Sequence, residues 1–180
     1  MRIGDYLIQE WRMRVSARWI PTGSRVLDIG CHQGEFLLFL DDKIKSSVGI
    51  DPLLEPGTQI DQHHLLPWVF RDVLPFRHQS FDVISLLATI EHMDNQREFA
   101  IEARRLLRAG GRVIITVPST LVDDILELLK FLRIVDGMSL EEHHGFNVDE
   151  LPNIFIKEGF SLKVWKKFQL GLNNLFVFEC

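Results

Sequence analysis

The sequence predicts an α/β fold built on a mostly parallel, doubly wound sheet. Short apolar segments alternate with amphipathic segments along most of the chain, the pattern of strands alternating with helices. The inner strand segments are largely apolar, which is typical of strands that are buried on both faces. Ligands bind such sheets beyond the carboxyl ends of the strands, so the chemistry is expected there.

The first half of the chain contains three of the predicted strands. Apolar residues recur every three to four positions from Arg2 to Ile20 and predict an N-terminal helix, which the sequence "PTGS" ends. A second helix is predicted at Glu35–Asp41, and the proline-rich segment 52–67 is expected to be irregular. The strands are expected at Arg25–Ile29, Ser47–Asp51 and Trp68–Asp72.

The second half contains two more parallel strands and a terminal hairpin. The helix Gln96–Leu107 is expected to end at the "AGG" of residues 109–111. Residues 118–147 are interpreted as an insertion at the binding edge that carries an apolar, lid-like helix at Leu121–Leu132. Asn147 and Glu150 predict the start of the next helix. The remaining elements are strands at Ser80–Leu87 and Arg112–Pro118, a helix at Val148–Glu158, and hairpin strands at Ser161–Leu170 and Leu175–Glu179.

The bulk properties favour one cytoplasmic domain over residues 1–180. The length of 180 residues suits a single core, and the net charge of -5 argues against a nucleic-acid partner. The two cysteines, Cys31 and Cys180, lie far apart and predict no disulfide framework. The sequence shows neither a signal peptide nor an apolar run of the roughly 18 residues that a membrane span needs.

Acidic residues stand at or next to the ends of three consecutive predicted strands, at Asp28, Asp51 and Asp72. Asp51 follows the first glycine turn at the spacing from which an acid reaches ribose hydroxyls. The turn lacks the G-x-G-x-x-G pattern because His32 and Glu35 replace glycines, which disfavours an NAD-dependent enzyme. Glu35 also places negative charge where a pyrophosphate would sit. A ligand with ribose and adenine but no phosphate fits better.

Five successive motifs then identify a family. The segments "VLDIGCHQGEF", "VGIDPL", "FRDVLPF", "SFDVISLLATIEHM" and "LLRAGGRVIITVPS" resemble the class I S-adenosylmethionine-dependent methyltransferases. They are most similar to the small-molecule branch, which includes quinone-biosynthesis methyltransferases. The resemblance implies a Rossmann-like, seven-stranded sheet, S-adenosylmethionine as cofactor and methyl transfer to a small-molecule acceptor.

The resemblance also implies which residues contact the cofactor. Asp28 and the loop Gly30–Gly34, which includes Cys31 and His32, would approach the methionine end. Asp51 would accept hydrogen bonds from the ribose. Leu53 and Val73 would sandwich the adenine, Asp72 would take its amino group, and the backbone at Leu87 and Ala88 would face the methionine moiety.

Histidines are the candidates on the acceptor side. His92, in the motif "IEHM", is a candidate base or orienting group, because its intrinsic pKa lies near neutrality. Glu91 is interpreted as a structural or cofactor-side carboxylate. His143 and His144, in "EEHHGFN", are candidates for contact with the acceptor. The histidine pairs do not have the spacing of a metal site. His32 stands where the family usually has glycine, so a catalytically inactive cofactor-binding or scaffold protein remains the alternative.

Overall fold

An eight-stranded sheet with helices on both faces forms the centre of the molecule. The computed structural model describes residues 3–119 and 147–180. Its strands are β1 (Ser24–Ile29), β2 (Ile44–Ile50), β3 (Gln59–Ile60), β4 (His63–Leu66), β5 (Phe81–Leu87), β6 (Leu107–Pro118), β7 (Ser161–Phe168) and β8 (Asn173–Glu179). The helices of these residues are α1 (Ile3–Ala17), α2 (Glu35–Leu40), α3 (Gln96–Leu106) and α4 (Leu151–Lys157).

The strand order confirms the predicted mostly parallel, doubly wound sheet. The order is β3-β4-β2-β1-β5-β6-β8-β7, and the five strands from β4 to β6 pair in parallel. Strand β8 runs antiparallel between β6 and β7, as the predicted terminal hairpin requires. The eighth strand is the two-residue β3, which pairs antiparallel with β4 and which the expected seven strands did not include.

The strand order reverses around β1, and this reversal positions the site. Strand β1 pairs with β2 on one side and with β5 on the other, so that Asp28 lies between Gly49 and Ser85. The chain connections that lead to these two neighbouring strands therefore run towards opposite edges of the sheet. This opens a crevice at the carboxyl ends of β1, β2 and β5, where ligands bind in open α/β sheets.

Each face of the sheet packs against its own helices, because the parallel strands are apolar on both sides. On one face, α3 and α4 bury Phe99 and Phe155 against the sheet, and Phe155 stacks on Phe178 at a centroid distance of 4.5 Å. On the other face, Met13 of α1 and Phe36 of α2 pack on the sheet. None of the helices in the described parts of the chain is long and apolar enough to cross a membrane.

The predicted third strand is wrong. Residues 68–72 form no strand, and the parallel strand beside β2 is β4, inside the segment that was expected to be irregular. The buried side chain of His63 makes this possible, since its Nδ1 lies 2.6 Å from the Ser47 hydroxyl of β2. Asp72 consequently lies in an exposed loop rather than at a strand end.

The "AGG" segment also behaves differently from the prediction. Helix α3 ends at Leu106, and residues 109–111 already belong to β6. The register between β5 and β6 shifts between Phe81 and Val83, and Gly110 accommodates the irregular backbone with φ of 74°. The other predicted helices and strands within the described residues are confirmed with small changes at their ends. The lid-like helix Leu121–Leu132 lies outside the described residues.

Candidate functional site

A cleft of about 510 Å³ opens at the carboxyl ends of β1 and β2. This volume falls in the range of small-molecule sites. Its walls come from the ends of these strands, the loop 68–71 that follows β4, and the turn 89–95 that follows β5. The lining residues are Ile29, Gly30, Ile50, Pro52, Trp68, Val69, Phe70, Arg71, Thr89, His92, Met93, Asp94 and Asn95.

Gly30 forms the base of the turn that follows β1. Its φ is 70°, and a Cβ atom at this position would lie 2.4 Å from Oγ1 of Thr89. Its N–H donates to the Ile50 carbonyl of β2 at 2.8 Å, which fastens the turn to the neighbouring strand. Gly34, with φ of 85°, ends the turn and leads into α2. Both positions therefore need glycine for the backbone path itself.

Asp28 places a buried carboxyl group beneath this turn. It is 2% exposed, and the Ser85 hydroxyl donates to its Oδ1 at 2.6 Å. Burial is the main cause that raises the pKa of Asp28 to about 7; the Ser85 hydrogen bond acts to lower it, and the negative charges of Glu35 and Asp51 act in the same direction as burial. The site thus contains a carboxyl group whose negative charge is stabilised poorly until a cation arrives.

Asp51 holds the backbone of two loops. It follows β2 directly, and its two carboxylate oxygens accept hydrogen bonds from the backbone N–H groups of His32 and Leu53, both at 2.9 Å. The side chain thereby ties the glycine turn to the end of β2. Each oxygen retains a further lone pair, so the carboxylate can still accept hydrogen bonds from a ligand.

The His32 ring points away from the protein interior. Its side chain is 62% exposed, and Nδ1 lies 2.7 Å from Oε1 of Glu35. The backbone of His32 has φ of 49°, a left-handed conformation that favours glycine. The neighbouring Cys31 is buried, and burial raises the pKa of its thiol. Its Sγ would lie 2.6 Å from a Cβ atom at Gly49, so Cys31 packs between the two strands.

The residues that the resemblance assigns to the adenine lie at the rim rather than in the wall. Leu53 is 79% exposed and Val73 is 62% exposed. Asp72 is exposed. Within the described residues, its Oδ1 accepts a hydrogen bond only from the N–H of Val73, at 2.7 Å. The wall is formed instead by Trp68 and its neighbours, which were expected to form a strand.

The end of β5 carries the remaining cofactor candidates. Leu87 is half-buried, and Ala88 adopts φ of 58° while its N–H donates to the Thr116 carbonyl at 2.9 Å. Thr89, which sequence reasoning missed, packs directly on Gly30.

The candidate residues on the acceptor side lie in different environments in the structure. His92 is exposed and lines the cleft. Glu91, its neighbour in the short turn Ile90–His92, is buried, and burial raises its pKa to about 7, whereas the charge of Arg12 in α1 acts to lower it. His143 and His144 lie outside the described residues.

Comparison with known proteins identifies relatives over most of the chain. A family model described as a methyltransferase domain matches residues 2–163. An uncharacterised protein of Methanocaldococcus jannaschii is 34% identical, with 88% of this chain and 72% of that protein aligned. The mitochondrial ubiquinone biosynthesis O-methyltransferase of Schizosaccharomyces pombe is 26% identical, over 76% of this chain and 54% of that protein.

The solved structures agree on the fold. An S-adenosylmethionine-dependent methyltransferase from Mesorhizobium loti superposes with a TM-score of 0.68 at 13% identity, over 93% of this chain and 100% of that chain. Apart from the M. jannaschii protein of 34% identity, the curated relatives are matched over only 18% to 54% of their own length. The similarity to solved structures therefore describes the architecture rather than an acceptor.

Proposed function

The chain belongs to the methyltransferase-domain family, and on this premise we propose that it transfers a methyl group from S-adenosylmethionine to a small-molecule acceptor. The observation that carries the proposal is the buried carboxyl group of Asp28. The charged groups that act on it, Glu35 and Asp51, are both acidic. Such a group favours a cationic ligand at the glycine turn.

The cationic half of S-adenosylmethionine meets this requirement. Its methionine end carries an ammonium and a sulfonium against one carboxylate, and the net positive charge would stabilise the ionised form of Asp28. A dinucleotide would instead bring phosphate charge toward Glu35 and Asp28, where it would be repelled. The backbone of Gly30 to Gly34, with Cys31 and His32 between them, would surround the methionine end.

The adenosine half fits the adjoining part of the cleft. Asp51 stands at the end of β2 with free lone pairs, and ribose hydroxyls would donate to them. The flat, apolar side chain of Trp68 would cover one face of the adenine. Leu53, Asp72 and Val73 would contact the ligand from the rim. Leu87 and Ala88 would meet it where β5 ends.

The protein's contribution to the reaction is mainly alignment. When bound, the cofactor supplies an activated methyl group on its sulfonium. The chain binds the acceptor in line with that methyl and excludes water from the site. An acceptor that must lose a proton needs a base, and His92 on the cleft wall is the exposed candidate.

Calorimetric titration tests this function. We expect S-adenosylmethionine and S-adenosylhomocysteine to bind in the micromolar range, which corresponds to roughly -8 kcal/mol, and NAD not to bind. Asp28→Asn keeps the acceptor for the Ser85 hydroxyl but removes the charge, so affinity should fall by roughly tenfold or more. Asp42→Asn, a change at an exposed residue of a surface turn, is the matched control.

Transfer itself requires a second measurement. Isotopically labelled S-adenosylmethionine, incubated with the protein and a metabolite extract, should label a compound of low molecular mass. Binding of the cofactor without any labelled product would favour the inactive scaffold instead. Failure of both cofactor forms to bind the wild-type protein would refute the proposal.

A further inference from the structure

Side chains of α3 hold the loop that connects β4 to β5. The backbone N–H of Leu74 donates to Oε1 of Glu102 at 2.7 Å. Arg105, one turn later in α3, donates to the carbonyl of Leu74 at 3.1 Å and to that of Phe76 at 2.9 Å. The helix therefore fixes this part of the loop through its backbone, independently of the side chains that the loop carries.

Glu102 and Arg105 also pair with each other. The Arg105 guanidinium donates through Nε and Nη2 to the two carboxylate oxygens of Glu102, both at 2.6 Å. The side chain of Glu102 is 4% exposed and that of Arg105 is 21% exposed. A bidentate pair fixes the orientation of both groups, but a buried ion pair is weak evidence for stability, since apolar residues of similar volume often serve as well. The pair at this position therefore calls for a role besides stability of the core.

A second attachment lies at the start of the same loop. The ring of Phe70 packs edge-on against Phe99 of α3, with the ring centroids 5.3 Å apart. The side-chain amide of Asn95, the residue before α3, donates to the Arg71 carbonyl. Phe70 and Arg71 both line the cleft. Helix α3 thus also shapes part of the cleft wall.

Asp72 and Val73 lie between the two attachments. Asp72 is exposed and Val73 is 62% exposed, whereas the next residue, Leu74, is 1% exposed. Large apolar side chains are exposed beside the cleft at Leu53 and Trp68 as well, so its mouth offers apolar surface to a flat ligand. The attachments on either side hold the backbone of Asp72 and Val73 at this mouth before any ligand is bound.

We propose that Glu102 and Arg105 are positioning residues of the cofactor site, and that they make it selective for adenine by fixing the loop at Asp72 and Val73. The inference rests on the proposed function, in which these two loop residues contact the adenine. Oδ1 of Asp72 accepts the N–H of Val73, and Oδ2 would accept the adenine amino group. Such a hydrogen bond discriminates between ligands only where the acceptor is held in place in advance. Glu102 and Arg105 act through the loop backbone and not on the ligand itself.

Two ligands that differ only at the edge of the base test this role. One is S-adenosylhomocysteine, and the other is its analogue with unsubstituted purine in place of adenine, which lacks the amino group. In calorimetric titrations of the wild-type protein, S-adenosylhomocysteine should bind about tenfold or more tightly, because only adenine can donate to Asp72. The ratio of the two affinities is the readout, since partial unfolding of a variant weakens the binding of both ligands equally.

Glu102→Gln combined with Arg105→Met removes both charges together, so that neither is left buried without its partner. The new amide can still accept the N–H of Leu74, but the carbonyls of Leu74 and Phe76 lose their donor. The preference for adenine should fall below about threefold, because the loop is no longer held in place. Arg105→Lys keeps a charge opposite Glu102, but an ammonium lacks the fork that reaches both carbonyls. It should lower the preference as well, and it provides the comparison if the double variant does not fold.

A matched control comes from the same helix. Arg97 of α3 forms another ion pair, with Glu158 at 2.8 Å, and this pair does not bond to the loop. Arg97→Gln should therefore keep the wild-type preference, whereas Asp72→Ala should lower it as far as the double variant does.

Equal binding of the two ligands to the wild-type protein, or a full preference that survives Arg105→Lys or Asp72→Ala, would overturn the inference while the proposed function stands. Loss of the preference in Arg97→Gln would also overturn it, since any damage to α3 would then have the same effect. Failure of S-adenosylhomocysteine to bind the wild-type protein would instead refute the proposed function, and this inference with it.

Discussion

Asp51→Ala should weaken both the fold and the proposed cofactor site, and the structure sets the size of each effect. The carboxylate is 8% exposed and accepts two backbone N–H groups at 2.9 Å. Hydrogen bonds to charged groups contribute about 1.5–3 kcal/mol each. Because both bonds are partly buried, their loss should lower the free energy of unfolding by about 3 kcal/mol. For a chain of this length, that corresponds to roughly 6–12 °C in melting temperature.

The effect on ligand binding is separate. Loss of the acceptor for the ribose hydroxyls should cost about 1.5–3 kcal/mol of binding free energy, or roughly a tenfold to 150-fold increase in Kd. Asp51→Asn keeps one acceptor oxygen, so it should show about half of each effect. Asp42→Ala, at an exposed turn position, is the control. Thermal unfolding and calorimetric titration with S-adenosylhomocysteine measure the two quantities. An Asp51→Ala protein with unchanged affinity would refute the assignment to the ribose, and an unchanged melting temperature would refute the role in joining the loops.

Three further changes test other parts of the site. The pKa of Asp28 is raised to about 7. Between about pH 4 and pH 7 the folded protein therefore retains a proton that the unfolded chain loses, and the free energy of unfolding falls as the pH rises through this range. The ammonium group of the ligand favours the ionised form of Asp28, so affinity for S-adenosylhomocysteine should fall about fivefold from pH 7 to pH 6. Asp28→Asn should abolish that dependence, and a wild-type affinity that is constant over this range would contradict the account. Gly30→Ala would place a Cβ atom 2.4 Å from Thr89 at a position of positive φ, and it should lower the free energy of unfolding by about 2–4 kcal/mol. Gly57 also has positive φ but open space around it, so Gly57→Ala should lower the free energy of unfolding by only about 1 kcal/mol. Equal melting temperatures for the two variants would count against the packing argument. His32→Gly should change cofactor affinity by no more than about threefold in a calorimetric titration, because the ring is 62% exposed and pairs with Glu35. A change of tenfold or more would show that the ring contacts the ligand.

The sequence was sufficient for the elements whose apolar pattern is long or flanked by clear turn residues. Strands β1 and β5 are apolar runs buried on both faces, and their positions were predicted to within a residue or two. The two strands of the terminal hairpin were predicted equally well, because turn residues separate β7 from β8. Local pattern decides such elements, since no distant contact competes with it.

The third parallel strand illustrates where local pattern fails. Residues 68–70 are apolar, yet Trp68 and Val69 remain 44% and 47% exposed and line the cleft. The true strand, β4, contains two histidines that appear polar in the sequence. Its burial depends on the contact between His63 and Ser47, which lie sixteen residues apart in the sequence. A long-range side-chain contact of this kind leaves no local signal.

The positions of the strand-end acids and of the glycine turn were predictable from the sequence, but the contacts between loops were not. The acids at strand ends led to Asp28 and Asp51, and the glycine turn was evident from its spacing. The burial of Glu91 depends on how the turn Ile90–His92 packs on β6, which sequence spacing does not report. The wall formed by Trp68 and Thr89 depends likewise on the path of two loops.

A crystal structure of the protein bound to S-adenosylhomocysteine tests the central claim most directly. The account predicts the ligand in the cleft at the ends of β1 and β2, with its ammonium within hydrogen-bond distance of the Asp28 carboxylate or bridged to it by one water. The ribose hydroxyls should donate to Asp51, and the adenine should lie against Trp68. A ligand bound at another edge of the sheet, or one whose methionine end points away from Asp28, would contradict it.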